Sequence, residues 1–169
     1  LWVLKRASVA DDWDCPENLG PLINGPSFDH AAFISADGLE LYFHSNRPGG
    51  YGNCDLYVTR RATRSNPWGP ATNLGPKVNR PSDDALPSLS PDGLELYFMS
   101  NPPGGYGDWD LYVSQRATAD DPWGDPVNLG PAVNSPARDS EASFSPDGLL
   151  MFFESGRPGA SGDLDLYVT

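Results

Sequence analysis

The stretch Ser90-Pro91-Asp92-Gly93-Leu94-Glu95-Leu96-Tyr97-Phe98-Met99-Ser100 decides the fold. Proline at its second place and glycine at its fourth suit a tight turn, with the glycine free to take positive φ. In the run that follows, Leu94, Leu96 and Phe98 fall on one face of a strand. Tyr97 and Met99 make the other face apolar too, as in a sheet sandwiched between two others. Upstream, Ala85 to Ser90 reads as a short strand ending in the turn. Downstream, a glycine-rich loop from Pro102 to Gly107 leads to a third strand over Asp110 to Arg116. A loop carrying Pro122-Trp123-Gly124 then precedes a weaker strand near Pro126 to Leu129, whose proline and amide content suit a sheet edge.

The same pattern returns every 55 residues without a gap. Asp37-Gly38, Asp92-Gly93 and Asp147-Gly148 obey that step, as do Asp-Leu-Tyr-Val runs opening at Asp55, Asp110 and Asp165. So do Trp13, Trp68 and Trp123, and Asn-Leu-Gly-Pro runs opening at Asn18, Asn73 and Asn128. Residues 56–110 match residues 111–165 at 30 of 55 positions, so one structural unit has been duplicated. Four short antiparallel strands per unit describe a β-propeller blade. A parallel β-helix would need shorter coils, and a sandwich would not repeat so strictly.

The expected fold is therefore all-β: a β-propeller of four-stranded antiparallel blades, built from three 55-residue repeats in a single region over 1–169. Residues 1–27 supply outer strands of one blade, 28–79 and 83–134 are whole blades, and 139–169 supply inner strands of a further blade. Propellers have about four to eight blades. The expectation is a piece of a larger propeller, or a ring completed by oligomerisation, with Leu150 and Phe152 on an exposed sheet face.

Composition agrees. Eighteen Gly and 18 Pro in 169 residues argue against a helical bundle, and 38% hydrophobic content argues against a disordered linker. Eleven basic against 23 acidic side chains give a net charge of -12, which disfavours nucleic acid and anionic membrane as partners. The longest apolar run, Leu149 to Phe153, falls far short of the roughly 20 residues a spanning helix needs. No basic or apolar leader is visible after Leu1. Cys15 and Cys54 are read as free thiols, with a bridge between them as the alternative.

Ser-Pro-Asp-Gly, Leu-x-Leu-Tyr-Phe-x-Ser, Pro-Gly-Gly-Tyr-Gly and Asp-Leu-Tyr-Val in succession resemble the WD40-like repeat of TolB-type β-propellers. The resemblance is best formed over residues 85–113 and recurs at Ser35-Ala36-Asp37-Gly38 and Ser145-Pro146-Asp147-Gly148. It implies an extracytoplasmic module, periplasmic, cell-envelope or secreted, used for binding and scaffolding. One departure stands out: Pro102 replaces the arginine found as Arg47 and Arg157.

Two kinds of residue are candidates for function. Among the repeated ones, Asp55, Asp110 and Asp165 read as turn-bridging carboxylates, paired with Arg47 and Arg157 in the first and third copies. Asp29, Asp84 and Asp139 lie at the start of the innermost strand, near one mouth of the channel. They are read as acceptors of backbone hydrogen bonds from the neighbouring blade, with calcium or sugar hydroxyls as the alternative ligands. Trp13, Trp68 and Trp123 are read as covers for blade edges, with sugar stacking as the alternative.

Residues that break the repeat are the better candidates for a single ligand. His30 aligns with Ala85 and Ser140, Arg138 with Asp83 and Phe28, and Glu141 with Leu86 and Ala31. His44 and Glu154 align with Met99. The candidate ligand-binding set is thus Asp29, His30, Asp84, Arg138, Asp139 and Glu141, with no catalytic residue assigned and no cofactor beyond a possible calcium ion. The leading expectation is a noncatalytic module for a protein or polysaccharide ligand. The alternatives are a carbohydrate-active enzyme or a lectin using carboxylates at the channel mouth.

Overall fold

A computed structural model describes residues 1–159 and 161–169. Strands β1 (Trp2–Val3) and β2 (Glu17–Asn18) pair in a small sheet. Strands β3 (Asp29–Ile34), β4 (Glu40–Ser45), β5 (Asp55–Arg60) and β6 (Thr72–Asn73) follow in order as blade I. Blade II repeats this with β7 (Asp84–Leu89), β8 (Glu95–Ser100), β9 (Asp110–Gln115) and β10 (Val127–Asn128). Strands β11 (Asp139–Phe144), β12 (Met151–Ser155) and β13 (Asp165–Val168) form a third sheet, here blade III. All pairings between these strands are antiparallel, and one isolated parallel bridge joins Trp109 to Arg138. Among the described residues there is no helix.

The turn between the first two strands of each blade forms as its sequence dictates. Ser35 Oγ donates to Asp37 Oδ1 at 2.6 Å, and the same carboxylate accepts from the Leu39 N–H at 2.9 Å. Ser35 Oγ also accepts from the Glu40 N–H, so it closes the turn from both sides. Gly38 sits at φ 74°, a conformation that disfavours a side chain. Ser90 with Asp92, and Ser145 with Asp147, repeat these bonds.

Each first strand carries one bulge that no turn residue announces. The register slips by one residue between His30 and Phe33, between Ala85 and Ser88, and between Ser140 and Ser143. Ala31, Leu86 and Glu141 take left-handed backbone at φ 49°, 54° and 56°. Non-glycine residues pay for this conformation with about 1 kcal/mol or more of strain.

Because both faces of each blade are apolar, the core lies between blades. Tyr42, Leu56 and Val58 of blade I meet Leu96, Phe98 and Trp123 of blade II in one cluster. Ala85, Met99 and Leu111 of blade II meet Ala142, Met151 and Phe153 of blade III in another. First strands pack against one another, β3 on β7 and β7 on β11, which makes them innermost. Leu150, Phe152, Leu166 and Val168 are exposed on blade III. Cys15 and Cys54 are free thiols.

Candidate functional site

Antiparallel pairing in the first hairpin sets Asp29 opposite Ser45, Asp84 opposite Ser100 and Asp139 opposite Ser155. All three aspartates therefore start an innermost strand on the same rim. Each Oδ2 accepts a backbone N–H from four residues upstream: Gly25 at 3.0 Å, Arg80 at 2.9 Å and Ser135 at 2.6 Å. The donors lie in the segments leading into each blade.

In blades I and III the other carboxylate oxygen holds an arginine. Arg47 Nη2 lies 2.5 Å from Asp29 Oδ1, and Arg157 Nη2 lies 3.0 Å from Asp139 Oδ1. The same guanidiniums donate through Nε to Ser45 and Ser155, and through Nη2 to the carbonyls of Ile23 and Val133. Arg47 also lies over the rings of Phe43 and Tyr57, and Arg157 over Phe153 and Tyr167. Burial opposes ionisation of Asp29, but hydrogen bonds from Arg47, Ser45 and Gly25 outweigh it and hold its pKa below the usual range.

This corrects the pairing expected from sequence. Arg47 and Arg157 serve Asp29 and Asp139, not Asp55 and Asp165. Asp55 accepts from the N–H groups of Tyr51 and Gly52 and from Asn73 Nδ2. Asp165 accepts from the N–H groups of Ser161 and Gly162. The cause is the hairpin: with Asp29 beside Ser45, the residue two places on projects over Asp29.

Blade II lacks the arginine. With Pro102 in its place, Asp84 Oδ1 is buried and has no hydrogen-bond partner among the described residues. Burial pushes the Asp84 pKa up to about 7, against the nearby Ser100 hydroxyl and the hydrogen bond from the Arg80 N–H, and the charge of Asp55 adds to the rise. Arg80, which aligns with Gly25 and Ser135, lies over the Tyr112 ring at 6.0 Å. Its Nη2 donates to the Pro126 carbonyl at 3.1 Å instead of to Asp84. Only a lone charged residue against Gly25 and Ser135 signalled Arg80 in the sequence.

The repeat-breaking residues gather on this rim but at two separate seams. His30 pairs with His44, ring centroids 5.5 Å apart, and Phe28 stacks on His30 at 5.2 Å. His44 Nδ1 accepts the N–H of Leu86 across the seam between blades I and II, at 3.3 Å. Burial, helped by His30, lowers the His44 pKa to about 4, so this acceptor stays neutral. At the next seam Arg138 donates to Ser140 Oγ and reaches Met99 Sδ at 3.8 Å. Glu141 is exposed on the bulge of β11.

Asp29, Asp84 and Asp139 are each held within their own blade. Among the described residues, no three His, Cys, Asp or Glu side chains come together as metal ligands. The repeated tryptophans each lie under a guanidinium: Arg6 over Trp13, Arg61 over Trp68 and Arg116 over Trp123, at 4.2–4.4 Å. Trp123 is buried and meets Tyr42 of blade I edge-on at 6.2 Å, so it covers a seam.

No family model matches the chain, and no curated protein matches it. Among solved structures it is similar to a TolB-like protein from Agrobacterium tumefaciens, with TM-score 0.57 and 19% identity over 83% of this chain and 42% of that one. It is similar to a thermostable family-43 glycoside hydrolase, with TM-score 0.54 and 17% identity over 88% and 56% of the two chains. It is also similar to a Penicillium chrysogenum α-L-arabinanase, with TM-score 0.58 and 15% identity over 99% and 51%. The chain is an arc of a β-propeller. It spans about half the length of these structures, and at such identities the likeness concerns the fold.

Proposed function

We propose that this propeller arc is a noncatalytic binding and scaffold module of TolB type, extracytoplasmic, recognising a protein or cell-envelope polymer through the rim where the innermost strands begin. One observation carries the reading. Asp29 and Asp139 are engaged by arginine and backbone N–H groups, so they hold the blades and are not free for acid–base chemistry. The residues that differ between repeats, His30, Arg138 and Glu141, sit on that rim as a one-off surface. Isolated peptidoglycan sacculi are the first probe. Co-sedimentation of the chain is expected, weakened at least fivefold by His30→Ala with Arg138→Ala while the melting temperature holds. Binding unaffected by the pair would overturn this use of the rim.

The carbohydrate-active alternative draws on Asp84, a carboxyl that can hold a proton near neutral pH. Against it, Asp84 is fully buried, and Asp55, whose charge acts on it, is buried too and accepts the N–H groups of Tyr51 and Gly52. Release of nitrophenol from aryl arabinosides, lost in Asp84→Asn, would favour the enzyme; no release is expected. The lectin alternative needs free tryptophan faces, and one face of each repeated ring already carries a guanidinium.

A further inference from the structure

Blades I and III each build a receptor for a guanidinium, and blade II keeps the receptor while lacking the arginine. In blade I the receptor consists of Asp29 Oδ1, Ser45 Oγ, the Ile23 carbonyl and the rings of Phe43 and Tyr57, all in contact with Arg47. The 55-residue repeat places Asp84, Ser100, Val78, Phe98 and Tyr112 at the same positions in blade II. Phe98 and Tyr112 keep the stacked arrangement of Phe43 and Tyr57, with centroids 6.2 Å apart against 5.9 Å. Pro102 supplies no donor to this set. Arg80 covers Tyr112 but donates to Pro126, and Asp84 Oδ1 remains buried and unpartnered.

We infer that this position on blade II, which lacks its arginine, is a binding site for a guanidinium group carried by a ligand, either an arginine side chain of a partner polypeptide or a small free guanidinium compound. Asp84, Ser100, Val78, Phe98 and Tyr112 are themselves buried. Their chain neighbours Arg80, Ser82, Asp83, Asn101 and Pro102 are among the residues lining a groove of about 590 Å³, so a ligand enters from that groove as Arg80 and Pro102 move aside. Ser82 Oγ lies 3.2 Å from Ser100 Oγ, the hydroxyl that corresponds to the Nε acceptors of the other blades. The receptor selects a planar group. A guanidinium that takes the place of Arg80 over Tyr112 can reach carboxylate, hydroxyl and carbonyl together while stacking on the ring, whereas an ammonium cannot satisfy the same set. Burial of Asp84 supports the same conclusion, because an unpaired buried carboxyl gains most from an incoming cation. The inference rests on the reading of this rim as a binding surface and names the chemistry of what it binds.

The test is calorimetric titration of the full 169-residue chain with methylguanidinium, with N-acetyl-arginine methylamide and with N-acetyl-lysine methylamide. Both guanidinium probes are expected to bind saturably, and the lysine probe at least tenfold more weakly. Equal affinity of the two guanidinium probes would assign the site to a free guanidinium; tighter binding of the arginine probe would assign it to a polypeptide. Asp84→Asn is expected to weaken both at least tenfold. Pro102→Arg, which fills the receptor from within, should abolish binding and raise the melting temperature. Absence of saturable binding by either guanidinium probe, or equal binding to wild type and Pro102→Arg, overturns the inference. If Pro102→Arg stabilises but no probe binds, the inference fails while the sacculus-binding reading stands on its own test.

Discussion

Arg116 Nη2 of blade II lies 2.9 Å from Glu40 Oε2 of blade I, with both side chains nearly buried. The guanidinium also stacks on Trp123, which in turn meets Tyr42, so one charged group ties the two whole blades together. Tyr42 Oη donates to the same carboxylate oxygen at 3.0 Å. Glu40 Oε1 also holds Arg60 at 2.7 Å, so loss of Arg116 leaves the buried Oε2 with Tyr42 alone. Arg116→Ala is therefore expected to destabilise the chain by about 3 kcal/mol. Arg61→Ala removes a stack on Trp68 and one hydrogen bond from Nε to the Gly38 carbonyl, with no buried ion pair, and should cost about 1 kcal/mol. Urea unfolding of the two variants measures the difference; equal losses would deny the clamp.

Asp84 gives a pH signature. An unfolded aspartate ionises near pH 3.9, while the folded one holds its proton to about 7. Within that window the folded chain binds more protons than the unfolded one, so this group's stabilisation is full below it and is lost as pH rises. Asp84→Asn should be more stable than wild type at pH 8, by about 1–3 kcal/mol, with the advantage gone at pH 4. Below pH 4 both proteins weaken as Asp29, Asp37 and Asp92, whose pKa values are lowered, become protonated. Unfolding midpoints across pH 4–8 check this, and parallel curves would contradict it.

Glu141 is exposed and sits in left-handed backbone at φ 56°. Glycine there removes the strain without opening a cavity, so Glu141→Gly should stabilise by about 0.5–1 kcal/mol. Thermal unfolding reads the gain, and a loss of stability would show that the Glu141 side chain makes a contact worth more than the strain.

These features differ in how far the sequence disclosed them. The Asp92-Gly93 turn was legible because its bonds run between neighbours, Ser90 to Asp92 and Asp92 to Leu94. The partner of Arg47 was not. Asp55 is nearer in sequence, yet the register of Asp29 with Ser45 decides, and register is a property of the folded hairpin. The bulges at Ala31, Leu86 and Glu141 carry no glycine to mark them. Pro102 was visible as a departure, but its consequence for Asp84 required the correct arginine pairing.

The sheet face at Leu150, Phe152, Leu166 and Val168 is exposed, although Tyr42, Leu56 and Val58, the blade I counterparts of the last three, pack on blade II. Each such side chain buried is worth roughly 1.5–3 kcal/mol. The isolated 169-residue chain is therefore expected to self-associate at micromolar concentration, seen by light scattering. A monodisperse, well-folded monomer that binds no apolar dye would refute this.

The titration of the Asp84 side-chain carboxyl, followed by carbon NMR in wild type and in Pro102→Arg, addresses the missing arginine most directly. The wild-type midpoint should fall at about 7, and restoring the guanidinium should bring it down into or below the usual aspartate range, in the direction the arginine moves Asp29. A wild-type midpoint near the ordinary value of about 3.9, or one that Pro102→Arg leaves unmoved, would contradict the account.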